Sequence, residues 1–343
     1  MYRLAAFAII FASIVTGCHR GTNTTKGETK SEAQKVPSYA FITNGVADFW
    51  EHARVGANAA GKEFGVDVSV IMPSTITDQT RKLEDLITRG TDGIAISAMA
   101  HKNQVEAINN AAAKTNLITH DSDSPLTNRL LYIGMDNYKA GLLCGKTLRD
   151  AMPDGGKIVI FIGRLDQDNA SRRRQGFIDA FLGRTPDPSR NDPPGGEISS
   201  DDKKFSVLGT MTDQFDRAKA KANVEDALTR YSDMTGMAGL FEYNPPLMME
   251  ALERVGKLGK IKIMDFDENQ TMLQGIKDGT VVATVVQNPY QYGYQSIKVL
   301  NELHKGNKSV IPESKFIDIP ARVIDKSNVE AFAKETADRL GKK

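Results

Sequence analysis

From Ser38 onward, short runs of β-branched and apolar residues alternate with longer stretches of helical period, the pattern of βαβ units around a parallel sheet. Tyr39 to Thr43, Val66 to Ile71, Gly93 to Ser97, Leu117 to Thr119 and Leu130 to Ile133 predict the strands of one lobe. A second series, Lys157 to Ile162, Phe205 to Leu208, Gly239 to Phe241, Ile261 to Met264 and Val281 to Val286, predicts those of another. The fold class expected is α/β, with two similar doubly wound parallel-sheet lobes.

The helices between these runs carry their own signals. Around Trp50 to Phe64 the spacing puts Ala53, Ala57, Ala60 and Phe64 on one face, and Gly65 is placed to end the helix. Thr77 is expected to cap a helix that Gly90 stops. In the second lobe, Phe177, Phe181 and Leu182 mark one buried face, and Ala220, Val224, Ala227 and Leu228 another. Arg184 to Lys204 breaks the alternation with Pro186, Pro188, Pro193, Pro194, Gly195 and Gly196, and is expected to be a variable, mobile surface loop.

The N-terminus reads differently. Met1-Tyr2-Arg3 is a short basic start, Leu4 to Val15 is apolar but short for a membrane span, and Val15-Thr16-Gly17-Cys18 follows. That tetrapeptide resembles a bacterial lipobox, which implies a signal peptide over 1–17 and lipidation at Cys18. Residues 18–37 are polar, with too little apolar surface to offset the entropy of ordering, and are expected to form a tether. Localisation is then periplasmic or at the cell surface, held to membrane by the lipid. With Cys144 the one other cysteine, a structural disulfide is not expected.

The chain has 343 residues, enough for two domains, and its 44 basic and 43 acidic residues give a formal net charge of +1. No long-range field draws it to nucleic acid, and a polyanionic partner is not expected. The working unit is expected to be a monomer.

In open parallel sheets, ligands sit beyond the carboxyl ends of the strands. The residues just past the predicted strands are Asn44, Asp121, Asp123, Asn169, Asn244, Asp267 and Gln287, nearly all carboxylates or carboxamides. Such planar groups match neighbouring hydroxyls, each of which both donates and accepts, so the set suits a polyol. Phe49 and Trp50 could cover the C–H face of a sugar ring, with Phe215 and Tyr243 as a second wall. Arg173 could fork between two ligand oxygens or brace Asp267, whereas Arg172 and Arg174 are expected to be solvated. Each residue alone has a plainer reading: Asn44-Gly45 as a turn, Trp50 as core, the acids as caps. Their recurrence at one edge of successive βα units favours the joint reading.

These residues also resemble the ribose- and glucose-binding class of periplasmic binding proteins, most of all its glucose-binding-like branch. The matching segments are Thr43 to Trp50, Asp78-Gln-Thr-Arg81, Thr119 to Ser124, Tyr132 to Asn137, Asn169 to Gly176 and Gln287-Asn-Pro289. The resemblance implies that Phe49 and Trp50 stack on a sugar, that Asp121, Asp123, Asn169, Arg173, Asn244, Asp267 and Gln287 bond its hydroxyls, and that Phe215 closes the far side. It further implies a three-segment hinge near Met135, Gln287 and Asp318, so that 38–135 with 288–318 form lobe 1 and 136–287 with 319–343 form lobe 2. An ABC-type permease is the implied partner. Ser122 stands where ribose binders carry an arginine and Ala47 where they carry an asparagine, which favours glucose or xylose over ribose.

Other classes fit less well. A carbohydrate hydrolase would use paired carboxylates, yet no cleft acid has an obvious apolar wall to raise its pKa, and no nucleophile elbow, zinc-protease helix or phosphate loop is present. Asp121-Ser-Asp123 and Asp166-Gln-Asp168 lack the glycine and terminal glutamate of a calcium loop, so no metal, catalytic residue or cofactor is expected. A sugar-sensing repressor would carry a DNA-reading helix pair where the export signal stands. The same scaffold serving a sensor, or binding a non-sugar, is opposed only by the diol-matching set.

Overall fold

The structure, a computed structural model, describes residues 35–340; the expected signal peptide and Cys18, and nearly all of the tether, lie outside the described residues. The strands are β1 Ser38–Ile42, β2 Asp67–Ile71, β3 Gly93–Ile96, β4 Asn116–His120, β5 Tyr132–Gly134, β6 Gly156–Ile162, β7 Ile198–Ser199, β8 Phe205–Thr212, β9 Gly236–Gly239, β10 Lys262–Phe266, β11 Ala283–Val286, β12 Phe316–Asp318 and β13 Arg322–Ile324. The helices are α1 Asp48–Phe64, α2 Ile76–Thr88, α3 Val105–Ala112, α4 Asn137–Asp150, α5 Asp168–Phe181, α6 Arg217–Arg230, α7 Asn244–Arg254, α8 Gln270–Asp278, α9 Pro289–His304 and α10 Val329–Leu340.

Two sheets result, each with helices on both faces. One has the order β12-β5-β4-β3-β1-β2 and is wholly parallel; the other has the order β13-β11-β10-β9-β6-β8-β7, with β13 and β7 antiparallel at its edges. Central strands buried on both faces read as continuous apolar runs, as Ile158 to Ile162 in β6 does. Each sheet separates two apolar clusters, so each lobe has its own core. The chain passes between the sheets three times: after β5, where α4 packs on β10 and β11; after β11, where α9 packs on β1, β3 and β4; and between β12 and β13.

Helices α4 and α5 touch through glycine. A Cβ on Gly176 would lie 2.0 Å from the Tyr138 carbonyl, and one on Gly141 would lie 2.1 Å from that of Arg173. Nothing larger than hydrogen fits there, and this approach fixes the backbone that carries Arg173.

Several local expectations are corrected. The strand read at Gly239 to Phe241 runs from Gly236 to Gly239, because Gly236 to Ala238 pair with β10 and β6, while Leu240 turns into the core and Phe241 lines the cleft. Helix α2 is capped by Thr75, whose side chain accepts from the Asp78 amide, and not by Thr77. The segment from Arg184 to Lys204 contains β7 and is pinned rather than mobile. Arg174 donates to the carbonyls of Asp192 (2.8 Å) and Pro193 (2.9 Å), and Arg190 pairs with the buried Asp179. Tyr138 accepts from the Asp187 amide and donates to Asp179. Arg174 is therefore buried rather than solvated. Among the described residues no helix is long and apolar enough to cross a membrane.

Candidate functional site

A cavity of about 350 Å³ lies between the lobes at the carboxyl ends of the strands. Asn44 follows β1, Phe49 and Trp50 open α1, and Asp121 follows β4, all from lobe 1. Asn169 and Arg173 come from the first turns of α5, Phe215 from the loop after β8, and Asp267 from the end of β10. Gln287 enters from the crossing after β11. The structure thus brings nine of the eleven expected side chains to one space.

Two do not reach it. The Asp123 carboxylate is held by Arg129 through Nε and Nη2, each at 2.5 Å, by Thr119 Oγ1 at 2.6 Å and by the Ser124 amide, and it lines a separate crevice near the hinge. With its acceptors so engaged, it supports the loop rather than the cavity. Asn244 is the first residue of α7, where it packs on Gly239 and donates to Asp213 Oδ2 at 3.3 Å. Asp213 also accepts from Tyr243 Oη (2.6 Å) and the Phe215 amide (2.8 Å), so Asn244 helps to fix the aromatic wall from behind.

The cavity also takes in Ser74, Gln167, Arg217, Phe241, Glu242 and Tyr243. Glu242 and Tyr243 lie a few residues past β9 and were within reach of the strand-end rule. Arg217 opens α6, five residues beyond β8, and carries no sequence signal of its own.

Arg173 is the centre of the polar set. Its side chain is wholly enclosed: Nη1 donates to the Leu240 carbonyl at 2.7 Å, Nη2 and Nε to Asn137 Oδ1 at 3.1 and 3.3 Å, and the guanidinium lies 3.8 Å over the Phe266 ring. Three of its five N–H groups are engaged, leaving two to be aimed at a ligand. Its charge acts on both Asp121 and Asp267.

Burial pushes the Asp121 carboxyl up to about 7, against the pull of Ser97 Oγ at 2.8 Å, of Arg173 and of Asn44 Nδ2 at 3.1 Å. Asp267 is raised for the same reason, with Arg173 and Gln287 opposing; Gln287 Nε2 donates to its Oδ1 at 2.8 Å. Burial likewise raises Glu242 to about 7, and its Oε2 is buried with no hydrogen-bond partner. In each case loss of water around the charged form outweighs the partners, which corrects the expectation that no cleft acid has its pKa raised.

The aromatic walls are built from different elements. Trp50 is 3% exposed and packs edge-on to Phe49 (4.8 Å) and His120 (5.7 Å), while His120 stacks on Phe41 at 3.9 Å. Burial holds His120 down to about 3, so its ring stays neutral. Opposite, Phe215 is 40% exposed and packs edge-on to Phe241 at 5.4 Å. A Cβ on Gly163 would meet the Phe215 ring at 2.3 Å, so glycine there lets this ring lie where it does.

Rings on two sides and amide, carboxylate and guanidinium groups between them can hold a compact, hydroxyl-rich molecule by its faces and its edge at once. Among the described residues no group of three or more His, Cys, Asp or Glu side chains is arranged to hold a metal ion.

The family model described as a periplasmic binding protein domain matches residues 39–308. A ribose import binding protein from Salmonella typhimurium is 24% identical over 268 residues, covering 76% of this chain and 82% of its own length. A solute-binding protein of an ABC transporter from Burkholderia graminis, solved in complex with D-arabinose, is 26% identical, with a TM-score of 0.75 over 85% of this chain and 96% of its own. A glucose-galactose binding protein from Geobacillus stearothermophilus is 25% identical, with a TM-score of 0.76 over 86% and 99%.

Proposed function

The chain belongs to the periplasmic binding protein family, and from that premise we propose that it captures a monosaccharide between its lobes and delivers it to an ABC-type permease. It works as a binding protein and not as an enzyme. The observation that carries this reading is the convergence of Asn44 and Asp121 from one lobe with Asn169, Arg173 and Asp267 from the other on a single cavity flanked by rings. A sugar held by both sets makes contacts in the closed form that it lacks in the open one, which is the condition for ligand-driven closure.

The favoured ligand is a pyranose of the glucose or xylose type rather than ribose. Ser122 is buried, with its amide bonded to Ser97 Oγ, and stands where ribose binders carry an arginine, so it presents no guanidinium to the ligand. The indole of Trp50 offers a broad ring for a pyranose face. Anchoring through Cys18 and the tether over 18–37 would keep the protein, as a monomer, at the membrane surface beside its permease, in the periplasm or outside the cell.

Thermal unfolding of the full chain with and without each sugar tests the reading. A ligand at about 100 times its Kd adds about 2.7 kcal/mol to the folded state, a clear rise in Tm. Glucose or xylose should raise it most, and an unchanged Tm with every sugar would refute the assignment.

A further inference from the structure

Beyond the cavity, the two lobes also meet along a rim where a histidine of lobe 1 faces a carboxylate of lobe 2. There His52 of α1 places Nε2 3.9 Å from Oε1 of Glu268, which follows Asp267 at the end of β10; both side chains are 11% exposed. Glu268 Oε2 is buried with no hydrogen-bond partner.

We propose that His52–Glu268 is a proton-linked latch, closing with one shared proton, so that lobe closure is coupled to proton uptake.

Every charged neighbour bears on this. Around Glu268 stand Asp48, Glu51, His52 and Arg54 of α1, Glu242 and Asp267 of lobe 2, and the more distant Arg322 and Arg339, both engaged by Glu335. Burial, reinforced by Asp267, drives Glu268 up to about 8. Parting the lobes returns the Glu268 carboxyl to water and to its ordinary value near 4. An imidazole and a carboxyl sharing one proton carry no net charge, so they can be buried together; the same pair without a proton leaves a bare carboxylate among other acids.

The sign follows from linkage. A carboxyl whose pKa is higher in the closed form favours closure fully below its open-form value, and that preference is lost as pH rises through the closed-form value. For Glu268 the closed-to-open ratio should fall about tenfold between pH 7 and pH 9.

Small-angle X-ray scattering of the full chain without sugar, at pH 7 and pH 9, reads the closed fraction directly. The wild type should be more compact at pH 7. Glu268→Gln, a carboxamide shaped like the protonated acid, should stay compact at both. A wild-type profile unchanged by pH overturns the proposal. So does a pH response that survives in the variant, which would assign it to Asp121 and Glu242 in the cavity. The proposal rests on the two-lobe capture reading, but scattering is recorded without sugar, so failure to bind any sugar and failure of the latch are separate results.

Discussion

Asp121 and Asp267 hold matching positions in the two lobes: each directly follows a central strand, each is buried, and each has a left-handed backbone, with φ of 53° and 70°. The turn aims both carboxylates across the cleft toward the space that Arg173 governs. Asparagine tolerates this backbone and alanine does not, at a cost of about 1–2 kcal/mol. Urea denaturation should therefore find Asp121→Ala less stable than Asp121→Asn by about that amount, with sugar affinity reduced in both.

Asp121 also makes a pH prediction. Its carboxyl stands at about 7 in the folded protein, above its ordinary value, so its contribution to stability is complete below about pH 4 and is lost as pH climbs through about 7. Stability of the wild type relative to Asp121→Asn should decline over that window. A constant difference from pH 4 to pH 8 would contradict the assignment of burial as the dominant cause.

Arg173→Lys should weaken sugar binding by about 30-fold or more, roughly 2 kcal/mol, because an ammonium cannot reach Asn137, the Leu240 carbonyl and a ligand together. Calorimetric titration of the folded variant measures it.

Trp50→Ala should lower both affinity and stability. The indole belongs to the lobe 1 core with Phe41 and Ala53, and removing so large a buried ring costs about 3–5 kcal/mol. Trp50→Phe should keep most of the stability and lose affinity, which separates the two roles. As Trp50 is the sole tryptophan, wild-type emission should change on sugar binding.

Arg174→Met should free the segment from Arg184 to Lys204 by removing its bonds to the carbonyls of Asp192 and Pro193. Limited proteolysis should then cut within that segment, and stability should drop by about 1–3 kcal/mol. Sugar affinity should hold, since Arg174 lies away from the cavity.

The two-lobe architecture was legible because buried parallel strands leave long apolar runs and the helices between them leave a clear period. Edge strands β7, β12 and β13, two or three residues long, leave no such trace. The position of Gly236–Gly239 was ambiguous because two glycines bracket a run of only Met237 and Ala238, and pairing with β6 and β10 decides it. At the cavity, the strand-end rule reaches Asn44, Asp121, Asp267 and Gln287. It cannot tell a ligand-facing acid from one consumed locally: Arg129, six residues on, takes Asp123, and Asp213, from another loop, takes Asn244. Nor does it separate Arg173, turned inward on α5, from Arg174 on the next face; only the packing of the proline-rich segment buries the latter.

Isothermal titration of the full chain with glucose, xylose, ribose, galactose and inositol tests the central claim most directly. One-to-one binding of glucose or xylose, tighter than ribose and weakened in Arg173→Lys, is the result this account predicts. Absence of heat with every sugar, from protein that melts cooperatively, would contradict it.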